Sequence, residues 1–177
     1  GGPAIEAAAK KGNSKAIELP RPLKGTPGCH FSFSGLKTAL ANKLERLGGP
    51  NAAPLADLAA SLQAAITDCL ADRTEQAMTR FLDEFPTAGW QQPFLVIAGG
   101  VAANKYIFNQ LQDKAETAGF QLSVPPAILC TDNAAMIAWA GIQRFKKNMI
   151  DNVNVSAKSR WPLDKHAPYM KGPGLKL

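Results

Sequence analysis

The chain has 177 residues, 46% of them hydrophobic and 19% charged, with a net charge of +6. That length and balance support a globular core of one domain or two small ones and exclude a disordered chain. No apolar run approaches the roughly 20 residues that a transmembrane helix needs.

The charge is uneven. Residues 1–140 balance 12 basic against 12 acidic side chains, and residues 141–177 carry 8 against 2, so the whole excess lies in the last segment. A basic tail after a neutral body fits a polyanionic partner, nucleic acid first; a solvated tail that aids solubility is the plain alternative. Cys29, Cys69 and Cys130 form no CxxC pair, and His30 and His166 have no metal-ligand spacing, which fits a reducing cytosol. The opening Gly1-Gly2-Pro3 has no methionine and no signal pattern, and reads as a cut through a longer protein.

In chain order, residues 4–11 predict the last turns of a helix, stopped by Gly12-Asn13. Ala16 to Leu19 predicts a short strand ended by Pro20-Arg21-Pro22, and Pro27-Gly28 a turn. Alternation in His30-Phe31-Ser32-Phe33-Ser34 predicts a strand with one buried face. Ser32, Ser34, Gly35, Lys37 and Thr38 crowd one turn, which could hold a phosphate or simply enter a helix. Cys29-His30 is no nucleophile–base pair, because adjacent strand residues point to opposite faces. Leu36 to Leu47 predicts a helix closed by Gly48-Gly49-Pro50.

Residues 55–85 carry one apolar stripe over about eight helical turns, with a possible break near Asp72-Arg73-Thr74. This stripe reads as core, with no cofactor role. Phe94 to Ala98 predicts a strand covered on both faces, and a helix follows from about Ala102 to Ala118. Gln121 to Val124 predicts a second strand. Ile128-Leu129-Cys130 leads into a second junction at Asp132, and an Ala-rich, mostly buried helix runs from Asn133 to about Phe145. The tail is expected to be extended, with Trp161-Pro162-Leu163 docked on the body. Strand–helix–strand–helix order makes the fold class α/β, with ligands where strands end and helices begin.

Two junctions stand out. Gly99-Gly100 lacks Cβ atoms, so a ligand can approach the backbone, and the helix start beyond it favours phosphate. Asn104 carries both a donor and an acceptor, which can pair with an adenine edge. A tight Gly-Gly turn needed only for packing is the plain reading. Thr131 and Asp132 could be helix caps, or Asp132 could serve a metal or phosphate site.

Four blocks stand in order: Gly1 to Glu6, Phe31 to Thr38, Gly99 to Asn104, and Cys130 to Ala138. Leu19-Pro20-Arg21-Pro22 and Arg160-Trp161-Pro162-Leu163 fit between and after them. Together they resemble the TsaD family, tRNA N6-adenosine threonylcarbamoyltransferases once called O-sialoglycoprotein endopeptidases. The resemblance implies an actin-like (ASKHA, ribonuclease H-like) carboxy-terminal lobe, with a helical insertion at about 36–88 and a basic extended tail at about 148–177. The amino-terminal lobe is expected to be absent.

The implied activity is an acyltransferase reaction. A threonylcarbamoyl group moves from threonylcarbamoyl-AMP to N6 of the adenosine beside the tRNA anticodon. By motif, Gly2 and Glu6 are implied contacts to the ribose of the adenylate. Gly99 and Gly100 are implied near its phosphate, and Asn104 on its adenine side. Asp132 is the implied ligand of one divalent metal ion, iron first and zinc second. Its other ligands, an HxxxH pair, belong to the preceding lobe, so this piece is expected to be inactive alone. The implied partners are tRNA, threonylcarbamoyl-AMP or another adenine nucleotide, an actin-like partner subunit and a small ATPase, in the cytoplasm and without a membrane. Ile107-Phe108 stands where the family often has Leu-Arg, which puts any contact of that Arg in doubt. A different class of function, a non-catalytic actin-like interaction module, is the alternative. A peptidase is disfavoured, because there is no HExxH motif and no nucleophile–base pair.

Overall fold

The computed structural model describes residues 1–86, 92–100, 103–130 and 133–156. The elements are α1 (Gly2–Ala9), α2 (Leu36–Arg46), α3 (Leu55–Glu84), β1 (Phe94–Val96), α4 (Lys105–Thr117), β2 (Gln121–Ser123) and α5 (Ala134–Lys146). β1 and β2 pair in parallel, with Leu95 opposite Leu122. The class is α/β, as the order of elements predicts. The chain divides into two compact units, Gly1–Asn133 and Ala134–Leu177.

The first unit is organised around α3, one unbroken helix of 30 residues. The expected break at Asp72-Arg73-Thr74 does not occur. None of these residues breaks a helix by itself, and Arg73 is fully buried with its charge answered. Its guanidinium donates to Asp72, to the Gly28 carbonyl at 2.8 Å and to Thr26 Oγ1 at 3.4 Å.

Segment 13–28 runs alongside α3 and contains no strand, contrary to the expectation for Ala16–Leu19. Its backbone partners are polar side chains spaced along that helix. Asn13 N–H donates to Asp57 Oδ1 at 2.7 Å, Ile17 N–H to Ser61 Oγ at 3.2 Å, and Gly25 N–H to both Asp72 oxygens. Arg21 Nε meets Asp68 at 2.5 Å, and Gln76 Nε2 donates to the Thr26 carbonyl at 3.1 Å. Within Ala16–Leu19, Ile17 N–H is taken by Ser61 and Ala16 N–H by the Asn13 carbonyl, so neither joins a strand. Leu19 instead packs with Leu36, Leu62 and Ala65. His30–Ser34 is likewise not a strand, and Phe31 and Phe33 are exposed.

A second cluster joins Met78 of α3 to Ala115 and Phe120, with Leu95 and Leu122 packed against it. Each large apolar side chain fully buried in this way stabilises by about 1.5–3 kcal/mol. The expected two-sided cover of β1 is not met. Leu95 turns toward the helices, while Phe94 and Val96, on the opposite face of the strand, are exposed. Among the described residues of the first unit, helices pack on the Leu95 side of this two-stranded sheet. Residues 127–129 form a 3-10 turn, not an approach strand; the two prolines before it deny the backbone donors that a strand requires.

In the second unit α5 has no buried residue, so the expectation of a mostly buried helix is not met there. Among the described residues, the unit supplies no second helix or strand against which Ile137, Trp139 or Phe145 could pack. No helix among the described residues is long and apolar enough to cross a membrane.

Candidate functional site

Helices α1, α3 and α4 border an open hollow of about 530 Å³, lined by Gly2, Pro3, Ile5, Glu6, Leu62, Gln63, Ile66, Gly100, Ala103, Asn104 and Ile107. Most of its walls are apolar. Glu6, Gln63 and Asn104 supply the polar side chains. Four residues singled out from sequence, Gly2, Glu6, Gly100 and Asn104, therefore meet around one space. Gly99 is not in the lining; its φ of +87° turns the chain from β1 toward α4, a conformation that favours glycine.

Asn104 is the N-cap of α4. Its Oδ1 accepts from Tyr106 N–H at 3.0 Å and from Ile107 N–H at 3.1 Å. Its Nδ2 donates to Gln63 Oε1 at 2.9 Å. The amide oxygen is thereby committed and one N–H is left over. In this arrangement the remaining N–H is what the Asn104 amide can offer to a ligand.

Glu6 reaches the same helix from α1. Its Oε1 accepts from Lys105 N–H at 3.2 Å, across 99 residues of sequence. A carboxylate here complements the positive end of the helix dipole. The N–H groups of Lys105, Tyr106 and Ile107 are all taken, so the start of α4 does not offer them to a phosphate. Among the described residues of this junction, the exposed Gly100 backbone is open to a ligand.

Sequence reasoning missed Gln63. It sits within the apolar run of α3, 8% exposed, in a stripe whose periodicity signals core alone. The available signal was a polar amide between Leu62 and Ile66 on a buried face. Leu62 and Ile66 serve two purposes, packing inward and walling the hollow.

Thr131 and Asp132 lie outside the described residues, as does Trp161-Pro162-Leu163. Among the described residues, no group of three His, Cys, Asp or Glu side chains could hold a metal ion. The described residues alone therefore do not make a metal centre. At the Ser32–Thr38 turn, Ser34 N–H donates to Ser32 Oγ at 3.4 Å and Gly35 caps α2 with φ +80°. This is the ordinary helix entry of the two readings. Cys29, Cys69 and Cys130 are free. Burial pushes the Cys69 thiol up, which suits a packing residue and not a nucleophile.

Fold and hollow together define an α/β unit with a mainly apolar, open recess between helices, polar at one wall. The profile of a family described as TsaD, tRNA N6-adenosine threonylcarbamoyltransferase, matches residues 1–139, and the chain belongs to that family. Among curated proteins of that name, one from Maricaulis maris is 49% identical over 164 residues, covering 93% of this chain and 43% of the relative. One from Ruegeria pomeroyi is 46% identical over 180 residues, covering 99% and 48%. One from Rhodospirillum rubrum is 47% identical over 176 residues, covering 98% and 48%. The chain thus spans about half the length of the curated relatives it matches.

Proposed function

We propose that this chain is the carboxy-terminal lobe of an actin-like tRNA-modifying acyltransferase, and that its hollow holds the adenylate part of threonylcarbamoyl-AMP. Family membership supports the reaction. The single structural observation that carries the reading is the meeting of Gly2, Glu6, Gly100 and Asn104 around one recess.

The chemistry asks chiefly for positioning. The N6 amine of the tRNA adenosine attacks the carbamoyl carbon. A C–N bond forms, the C–O bond to the phosphate breaks, AMP leaves, and N6 releases a proton. The lone pair of that amine is delocalised into the ring, so orientation of both partners is worth a great deal. In this reading the apolar walls seat the nucleoside. The unpaired oxygen of Glu6 accepts from a ribose hydroxyl or base amine, and the open backbone of Gly99-Gly100 lies along the phosphate. Asn104 acts mainly by holding α4 and Gln63 in place. The helices α2 and α3 fill the insertion at 36–88, and the basic segment from 148 meets the tRNA backbone, where contacts position and do not specify.

A divalent metal would supply Lewis-acid stabilisation of the acyl or phosphate oxygens. Asp132 is its proposed ligand here, with iron ahead of zinc. The described residues furnish no complete ligand set, so no step above depends on it. An actin-like partner subunit, a small ATPase and a cytoplasmic setting complete the proposal.

The test is a tRNA threonylcarbamoylation assay on this chain joined to the half that its relatives possess in addition. Asp132→Ala should abolish transfer and lower bound metal. Normal modification by that variant would overturn the catalytic reading and favour a non-catalytic interaction module.

A further inference from the structure

Gln63 holds an unusual position. Its Oε1 is occupied by Asn104 Nδ2–H at 2.9 Å. Its Nε2 donates to nothing among the described residues, although the residue is more than nine-tenths buried. No side-chain polar atom among the described residues is both sealed from solvent and without a partner. Nε2 therefore keeps some exposure to open space, and Gln63 borders the hollow. Gln63 and Glu6 also line a smaller recess of about 290 Å³, which places the two side chains together at the boundary of both spaces.

The polar wall thus has a definite polarity. Gln63 offers N–H donors, Asn104 has one N–H left, and Glu6 has one carboxylate oxygen not engaged by Lys105. A ligand that fills the hollow without an acceptor near Gln63 would strand a buried donor, which is costly. A flat ring with a nitrogen acceptor beside an amine donor fits this wall; adenine has that arrangement on two of its edges. A base that carries a carbonyl in place of the amine would set oxygen against the Glu6 carboxylate.

We infer that Gln63 is the base-recognising residue of the hollow, its Nε2 donating to a ring nitrogen of a bound adenine. This rests on the reading of the hollow as an adenylate site. Asn104 is then a positioning residue: by taking Oε1, it fixes which end of the Gln63 amide faces the ligand.

Adenosine and its 1-deaza, 3-deaza and 7-deaza analogues test this with the 177-residue chain. Being neutral, they keep phosphate repulsion out of the comparison. One analogue should bind about fivefold to tenfold more weakly than adenosine, the range expected for one hydrogen bond. Gln63→Met should weaken adenosine by a similar factor and abolish discrimination against that same analogue. Gln63→Glu should do likewise while keeping an acceptor for Asn104, so it serves if the Met variant fails to fold. Equal weakening of all four ligands, or discrimination that survives both variants, overturns the inference for Gln63 alone. Binding of adenosine without discrimination by the unaltered chain does the same. No adenosine binding by the unaltered chain overturns both this inference and the adenylate reading.

Discussion

Asn104 on α4 and Gln63 on α3 are joined by one hydrogen bond of 2.9 Å across 41 residues of sequence. That bond fastens the start of α4 to the middle of the long helix at the edge of the hollow. The same Asn104 side chain also caps its own helix, so stability and site geometry depend on one amide.

Asn104→Ala should therefore lower stability by about 1–2 kcal/mol, mainly through the lost cap. Asn104→Asp keeps a capping oxygen but turns its second oxygen toward Gln63 Oε1, so it should recover only part of that loss in thermal melting. Its added negative charge should also weaken binding of AMP. If the Ala and Asp variants melt alike and both clearly below the unaltered chain, the cap is not the main source of stability at this position.

Gly12 ends the turn after α1. A Cβ there would collide with the Ala56 carbonyl and lie 2.7 Å from Asp57 N, both backbone groups. Gly12→Ala must push α1 away from α3, at a cost of about 1–3 kcal/mol or more. Since α1 carries Gly2 and Glu6, adenosine affinity should fall with it. Unchanged melting and unchanged affinity would show that the two helices are not in such close approach.

Asp72 governs acid sensitivity. Partial burial pushes its pKa up, but the hydrogen bond from Arg73, the Gly25 N–H and the nearby positive charge outweigh that and hold it below the ordinary carboxylate value. A carboxyl with a depressed folded pKa stabilises fully above its unfolded pKa of about 3.9 and loses that contribution as pH falls through the folded value. Melting temperature should thus drop more steeply on acidification below about pH 5 for the unaltered chain than for Asp72→Asn. Parallel curves would remove Asp72 from the account.

Arg73 carries a larger stake, since it is buried and anchors segment 26–28 as well as Asp72. Arg73→Ala should cost about 3 kcal/mol, because it leaves a carboxylate and a carbonyl without their partner. Chemical denaturation would measure this; a loss below about 0.5 kcal/mol, the scale of an ordinary surface substitution, would contradict it.

Removing residues 150–177 from the chain joined to the half its relatives also possess should weaken tRNA binding most at low salt, because exposed charge is screened as ionic strength rises. A loss that is the same at all salt concentrations would point to folding in place of electrostatics.

The sequence by itself determined the elements whose signal is local. Helix α3 follows from its apolar spacing, α2 and α4 from the segments between their glycine breaks, Gly99 from the turn it must make, and the strands β1 and β2 from the apolar run at 94–98 and the short stretch at 121–124. Motif order brought forward Gly2, Glu6, Gly100 and Asn104, which one hollow then brings together. What only the tertiary structure decided are the relationships between distant segments. The patterns at 16–19 and 30–34 suit strands, but side chains of Asp57, Ser61 and Asp72 take up backbone donors of segment 13–28, and a strand is favoured only where another strand does so. Asn104 has the chemistry of a free amide in sequence, yet α4 claims its oxygen and Gln63 one of its N–H groups. Gln63 itself is hidden in a core stripe, because helical periodicity reports which face is buried and not whether a cavity lies against it.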